Sequence, residues 1–330
     1  MAIEAIYVMG AIGTKGADMN KIIVTGATSM IGVATIEAAI SHDVEVYAVV
    51  RPKTKRLDRL SASSLVHIIE GGALDTLLQV DGLPQDADVL YHFAWAGTNK
   101  EQRDDPTVQE KNIGYTLDAV ELAKRCGCRR FVGAGSQAEY GSIVGVIDEE
   151  TRFKPEMSYG ISKYAAGILS RKLCSINGIE HVWGRIFSVY GPNDNEGTML
   201  DYAISCFDRG ETAHFSASIQ PWNYLYESDA GEMFYRMACE NVPEGTYLVA
   251  SDLSKSLKEY IQILLDEYGQ GVNAEFARVG ESVPAGLNVN NEKTLDILDY
   301  KPKVGFEEGI RNMIHAKTTR RENGFKELVE

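Results

Sequence analysis

KIIVTGATSMIG, residues Lys21 to Gly32, joins a short β-branched run to the first turn of an amphipathic helix. Ile22, Ile23 and Val24 give a buried-strand signal, and the apolar period from Ile31 to Ile40 reads as a helix. Between them, Gly26 permits backbone torsions that other residues resist. Ala27 is small enough for a pyrophosphate to approach the N–H groups at the helix start, over Thr28, Ser29, Met30, Ile31 and Gly32, where the helix dipole favours negative charge. The same strand, turn and helix also occur as a plain structural turn, so the reading depends on the rest of the chain.

Working outward, short apolar runs alternate with helical patterns: Val44 to Val50, Val66 to Ile69 before a helix at Leu74 to Leu78, Val89 to Ala94 before a helix through Val120 and Leu122, and Phe131 to Ala134. A helix from Tyr159 to Ile176, stopped by Asn177-Gly178, leads to a strand over His181 to Val189. This alternation predicts right-handed crossovers and an α/β fold with a doubly wound parallel sheet, plus a smaller C-terminal lobe. The expected division is a dinucleotide-binding domain of residues 19–190 and about 222–269, with a substrate lobe of residues 191–221 and about 270–330. Residues 1–18 differ in character from the rest of the chain. They read as an extension outside the fold, with an extra edge strand as the alternative.

The 330 residues carry a formal charge of −14, against the positive field that nucleic acids and anionic membranes require. No apolar run approaches the ~20 residues of a membrane span, and residues 1–18 lack the pattern of a secretory signal. Five scattered cysteines suggest free thiols in a reducing compartment, and Cys126-Gly127-Cys128 has no second ligand pair at metal spacing. A cytoplasmic protein with no resident metal, no nucleic-acid partner and no membrane partner is expected.

Tyr159 and Lys163 are four residues apart, which puts them on one helix face, where an ammonium lowers the pKa of a phenol and makes it a proton donor and acceptor. Phe131 to Ser136 is a strand ending in serine, so Ser136 should face the crevice at the carboxyl ends of the strands, together with the Gly26 loop. In chain order, the Thr25 to Gly32 loop, His92-Phe93-Ala94, Asn112, Ser136 to Gly141, Tyr159 to Lys163, Arg185 to Pro192 and Tyr300 to Gly309 resemble the extended short-chain dehydrogenase/reductases that act on nucleotide sugars. The resemblance covers residues 19 to 315 and implies a Rossmann sheet.

It further implies that Tyr159 is the acid/base and that Lys163 binds the nicotinamide ribose while tuning Tyr159. Ser136 would polarise the reacting oxygen, and Ala94 would line the cofactor. Asn112 is either a supporting polar residue or a satisfier of backbone groups, and His92 is structural. Dehydratases of the group carry an Asp-Glu pair where this chain has Gln137 and Ala138, which leaves a 4-ketoreductase or a 4-epimerase. Arg51, with Lys53 nearby, stands where an NAD-binding chain often has a carboxylate, and so favours NADP over NAD. The first expectation is therefore NADP-dependent reduction of the C4 ketone of a nucleotide-linked 4-keto-6-deoxy sugar. An NAD-dependent 4-epimerase is the alternative, and a non-catalytic dinucleotide sensor is a third reading. Gln137, Ser188, Trp222 and Tyr224 are the substrate-binding candidates. Trp222 replaces the family's diphosphate-binding arginine, with Asn193, Arg209 and Lys293 as possible substitutes. A homodimer is expected from the resemblance.

Overall fold

β1, Lys21–Thr25, is buried along nearly its whole length. Its alternation sends Ile22 and Val24 into one apolar cluster and Ile23 into a second on the other sheet face. Each of these fully buried aliphatic side chains stabilises the fold by about 1.5–3 kcal/mol. The same division recurs in β4, Val89–His92, where Val89 and Tyr91 face one cluster and Leu90 the other. A sheet with two apolar faces needs helices on both. The computed structural model, which describes residues 19–280 and 285–327, supplies them; the extension expected over residues 1–18 lies outside the described residues.

The other strands of the main sheet are β2 (Glu45–Val50), β3 (Val66–Glu70), β5 (Arg130–Ser136), β6 (Glu180–Ile186) and β7 (Gly245–Val249). All pairings are parallel, in the spatial order β7-β6-β5-β4-β1-β2-β3. The order reverses between β1 and β4, and a ligand crevice opens at such a switch point. α1 (Met30–Ser41) packs on the Ile22 face, and α2 (Lys111–Arg125) and α3 (Ser158–Asn177) pack on the Ile23 face. α3 ends as the sequence predicts: Gly178 takes φ 69° and returns its N–H to the Cys174 carbonyl. Cys126, Cys128 and Cys174 lie in the second cluster as small apolar groups.

Three expectations change. The strand read from His181 to Val189 breaks at Phe187, and Ser188–Tyr190 leaves the main sheet to pair with Tyr224–Tyr226. The helix expected at Leu74 to Leu78 is a 3-10 segment, Leu74–Gln79, with Thr76 off helical torsions; Leu77 is its one buried side chain, which is too little burial to propagate an α-helix. The helix α6, Leu257–Tyr268, was expected with the dinucleotide domain, but it gives Tyr260 and Leu264 to the core of the C-terminal lobe. There it meets α4 (Met199–Asp208) and α7 (Phe306–Glu327) around Tyr190, Tyr226 and Phe306, while α5 (Glu227–Met237) returns to the sheet. None of the described helices is long and apolar enough to cross a membrane.

Candidate active site

Gly26 leaves β1 with φ 71°, and a Cβ built on it would sit 2.5 Å from the Ala94 nitrogen at the end of β4. A Cβ on Gly32 would sit 2.4 Å from the Gly26 carbonyl oxygen. The loop is therefore closed down by backbone packing at the switch point, a cradle that side chains would fill. Ser29 caps α1, its hydroxyl oxygen accepting from the Gly32 N–H at 3.1 Å, which leaves the hydroxyl proton for a phosphate. The first-turn N–H groups of Met30 and Ile31 complete an anion site of the kind a dinucleotide pyrophosphate uses. These residues fit the group. Ala27 contributes backbone only, because its side chain is fully buried in the core. Gly26→Ala forces an L-residue into left-handed torsions and a methyl into backbone. We expect a lower melting temperature and at least tenfold weaker dinucleotide binding, by about 1–2 kcal/mol of torsional strain plus the overlap; thermal unfolding and fluorescence titration read both. Arg51 is exposed just past β2, and no partner holds it among the described residues.

β5 and α3 bring Ser136, Tyr159 and Lys163 together. Ser136 ends β5 and is buried, and its hydroxyl, which accepts from the Ala138 N–H at 3.2 Å, acts on the Tyr159 phenol. Lys163 is buried on the same helix face, with Nζ donating to the Ala134 carbonyl at 2.7 Å and lying 5.9 Å from the Tyr159 ring centroid. Burial pushes Lys163 down to about 7; Glu139 opposes that shift and Arg103 adds to it. Burial also raises the Tyr159 phenol, against the pull of Arg103 and of the Ser136 hydroxyl. Arg103, whose guanidinium carbon lies 4.2 Å from the ring centroid, is a second cation beside the phenol and pulls it down. Nζ of Lys163 also sits over Trp95, 3.7 Å from that ring's centroid.

Glu139, Trp95 and Arg103 escaped the sequence reading. Glu139 is fully buried three residues after Ser136. One oxygen accepts from the Ser136 N–H at 2.9 Å and from Trp183 Nε1 at 3.0 Å, and the other from Arg185 Nε at 2.7 Å. Its spacing from Ser136 is that of a capping box, a signal present in the sequence. Trp95 and Arg103 sit in the irregular segment after β4, where no periodicity points inward.

Of the substrate-binding candidates, Gln137 is half-buried on the 3-10 turn after Ser136, and Ser188 is half-buried opposite Tyr224. Tyr224 packs edge-on against Tyr190 and Tyr260, in the lobe's aromatic core. Trp222 pairs with Lys255 and bridges two apolar clusters, with Nε1 buried and unpartnered among the described residues. The expected substitutes for a diphosphate arginine are engaged elsewhere. Arg209 pairs with Glu211 and Lys293 with Glu150, while the Asn193 amide donates to Glu227. Asn112 satisfies backbone groups: its amide accepts from the Ala96 N–H at 2.8 Å and donates to the Ala96 carbonyl at 3.1 Å. His92 is buried and meets the Thr25 hydroxyl at 2.8 Å; burial, with Lys163 adding to it, holds its imidazole down to about 3.

A model of the NAD dependent epimerase/dehydratase family matches residues 22–250. The chain is 23% identical over 325 residues to dTDP-D-glucose 4,6-dehydratase of Mus musculus, covering 92% of this chain and 90% of that one. Its fold superposes with a TM-score of 0.80 on UDP-N-acetylglucosamine 4-epimerase from Methanobrevibacter ruminantium M1 in complex with UDP-N-acetylmuramic acid, at 20% identity, covering 92% of this chain and 99% of that chain. The TM-score is 0.76 with UDP-glucuronic acid 4-epimerase from Bacillus cereus in complex with NAD, at 21% identity and 91% and 98% coverage. With the matched span running from β1 past β7, the chain belongs to the NAD dependent epimerase/dehydratase family and is a nucleotide-sugar oxidoreductase or epimerase.

Proposed function

We propose that the protein is an NAD-dependent nucleotide-sugar 4-epimerase. The observation that carries this is the state of Glu139, the carboxylate nearest in sequence to Ser136. Both of its oxygens are committed, to Trp183, Arg185 and the Ser136 N–H. With Gln137 and Ala138 unable to act as carboxylates, the β5 turn offers no acid/base to expel water, which argues against dehydration. Proton transfer at one sugar oxygen remains, and Tyr159 with Ser136 suits it. The structural relatives from Methanobrevibacter ruminantium and Bacillus cereus are 4-epimerases matched over nearly their whole length, which supports the epimerase reading.

A nicotinamide dinucleotide bound across the β1/β4 crevice supplies reversible hydride acceptance at the sugar carbon. Its pyrophosphate would lie against Gly26 to Gly32, and its ribose would meet Lys163. Tyr159 takes the proton of the C4 hydroxyl as the ketone forms and returns it to the oxygen once the sugar has turned its other face. Ser136, at the end of β5 beside the phenol, holds the sugar oxygen next to it. The phenolate form of Tyr159 is the one that accepts that proton; burial disfavours it, and the positive charge of Arg103 opposes that effect. Purified protein screened against UDP-, dTDP- and CDP-sugars should give C4 epimers without net consumption of cofactor; products that have lost water would refute the assignment.

A second reading, the NADP-dependent 4-ketoreductase, is favoured by Arg51 alone. An exposed guanidinium past β2 can pair with a 2′-phosphate. If it does so, Arg51→Ala weakens NADP binding about tenfold and leaves NAD binding within about twofold, since a charge-assisted bond is worth ~1.5–3 kcal/mol. Equal titrations of both cofactors, in wild type and variant alike, would remove this reading.

A further inference from the structure

Arg103 lies half-buried in the segment between β4 and α2, its guanidinium stacked on the Tyr159 ring. Among the described residues no carboxylate pairs with it. Its backbone is fixed. The Arg103 carbonyl accepts from the Tyr159 N–H at 3.1 Å, and Asp104 accepts from the Ser158 N–H at 2.8 Å. The buried Gln109 amide donates to the carbonyls of Gly97 and Gln102 and accepts from Trp95 Nε1 at 2.9 Å. A well-positioned guanidinium with no anion beside the reacting phenol is an incomplete ion pair. Its N–H donors, committed to no carboxylate of the described residues, point to an anion brought by the ligand.

The charge around Tyr159 agrees. Arg103 and Lys163 lie beside its ring, and the buried carboxylate of Glu139 is already taken by Arg185. This cationic patch stands in a chain of net charge −14. Lys163 is held by the Ala134 carbonyl, which leaves Arg103 as the group with a free planar fork, the geometry that matches a carboxylate in two parallel hydrogen bonds.

We propose that Arg103 recognises a carboxylate carried by the sugar next to its reacting carbon, so that the substrate is an acidic nucleotide sugar. The proposal rests on the 4-epimerase reading for one step: Tyr159 works at C4. Substituents on C3 and C5 flank C4, whereas the diphosphate leaves C1 on the far side of the ring. A cation lying on the face of the phenol that serves the C4 oxygen is therefore beside those flanking substituents. Two sources have the required chemistry, a C6 uronate and an acid ether-linked at O3.

The test titrates wild type, Arg103→Met and Arg103→Lys, each with dinucleotide present, against four ligands sharing one UDP group: UDP-glucuronic acid, UDP-N-acetylmuramic acid, UDP-glucose and UDP-N-acetylglucosamine. Calorimetry gives Kd and sugar NMR gives kcat/KM. Wild type should prefer one acid over its neutral counterpart by about 100-fold in Kd, the scale of a desolvated carboxylate pair. Arg103→Met should cut that ratio to about threefold or less, and Arg103→Lys should restore part of it, as a point charge without the fork. Preference for the glucuronate assigns the C6 source, and preference for the muramate the O3 source. A wild type that prefers neither acid overturns the proposal, as does an equal loss by Arg103→Met for all four ligands, which would make Arg103 a diphosphate contact. Binding is read separately from turnover. Acid preference that depends on Arg103, with no epimer formed, upholds the recognition and refutes the 4-epimerase reading, while epimerisation of the neutral sugars alone does the reverse.

Discussion

Tyr159→Phe is expected to lower kcat by about 10³-fold, within the ~10²–10⁴ that a positioned general acid/base contributes. The substitution removes one hydroxyl and keeps the ring. The Arg103 stacking, the Trp95 edge contact at 5.9 Å between centroids and the Tyr159 N–H bond to the Arg103 carbonyl therefore all remain. Dinucleotide affinity should stay within about twofold, because the pyrophosphate cradle at Gly26 to Gly32 is built by another element. A kcat loss with unchanged binding marks an interaction made in the transition state. Activity within tenfold of wild type would exclude Tyr159 as the proton carrier.

Glu139→Ala is expected to be the most destabilising single change near the site, at about 3–5 kcal/mol, because it strands a buried cation. Arg185 is nearly buried and would keep its charge, stacked 4.1 Å from the Phe153 ring centroid without its carboxylate. The Ser136 N–H and the Trp183 indole N–H would lose their acceptor at the same time. Glu139→Gln is the informative companion, since it keeps the shape and an acceptor while removing the charge. Chemical denaturation should rank wild type above Glu139→Gln above Glu139→Ala. Near-equal stability for all three would mean that the buried pair is not what fixes the turn carrying Ser136.

The elements legible in the sequence are those whose pattern is local. The apolar runs at Ile22, Val46 and Val89 form central parallel strands because nothing else satisfies two apolar faces at once, and Asn177-Gly178 ends α3 because a left-handed cap needs no tertiary partner. The i,i+4 spacing likewise put Tyr159 and Lys163 on one face of α3. What escaped depends on neighbours distant in the chain. The break at Phe187 follows from pairing with Tyr224–Tyr226, which no window around residue 187 contains. Spacing and the family resemblance place Lys163 beside the phenol, whereas its contacts with Trp95 and the Ala134 carbonyl, both remote in sequence, are legible only in the structure. Arg103 lies in a stretch without period, so its position over the Tyr159 ring comes from tertiary bonds that pin the segment, those of Gln109 and Asn112 and those to the Tyr159 and Ser158 N–H groups.

The measurement closest to the central claim uses a nucleotide sugar deuterated at C4, incubated with the purified protein and followed by proton NMR while the absorbance of reduced dinucleotide is monitored. The account predicts the C4 epimer with deuterium retained at C4 and no net change in reduced dinucleotide. Deuterium lost to solvent, or conversion only with stoichiometric consumption of reduced dinucleotide, would contradict it.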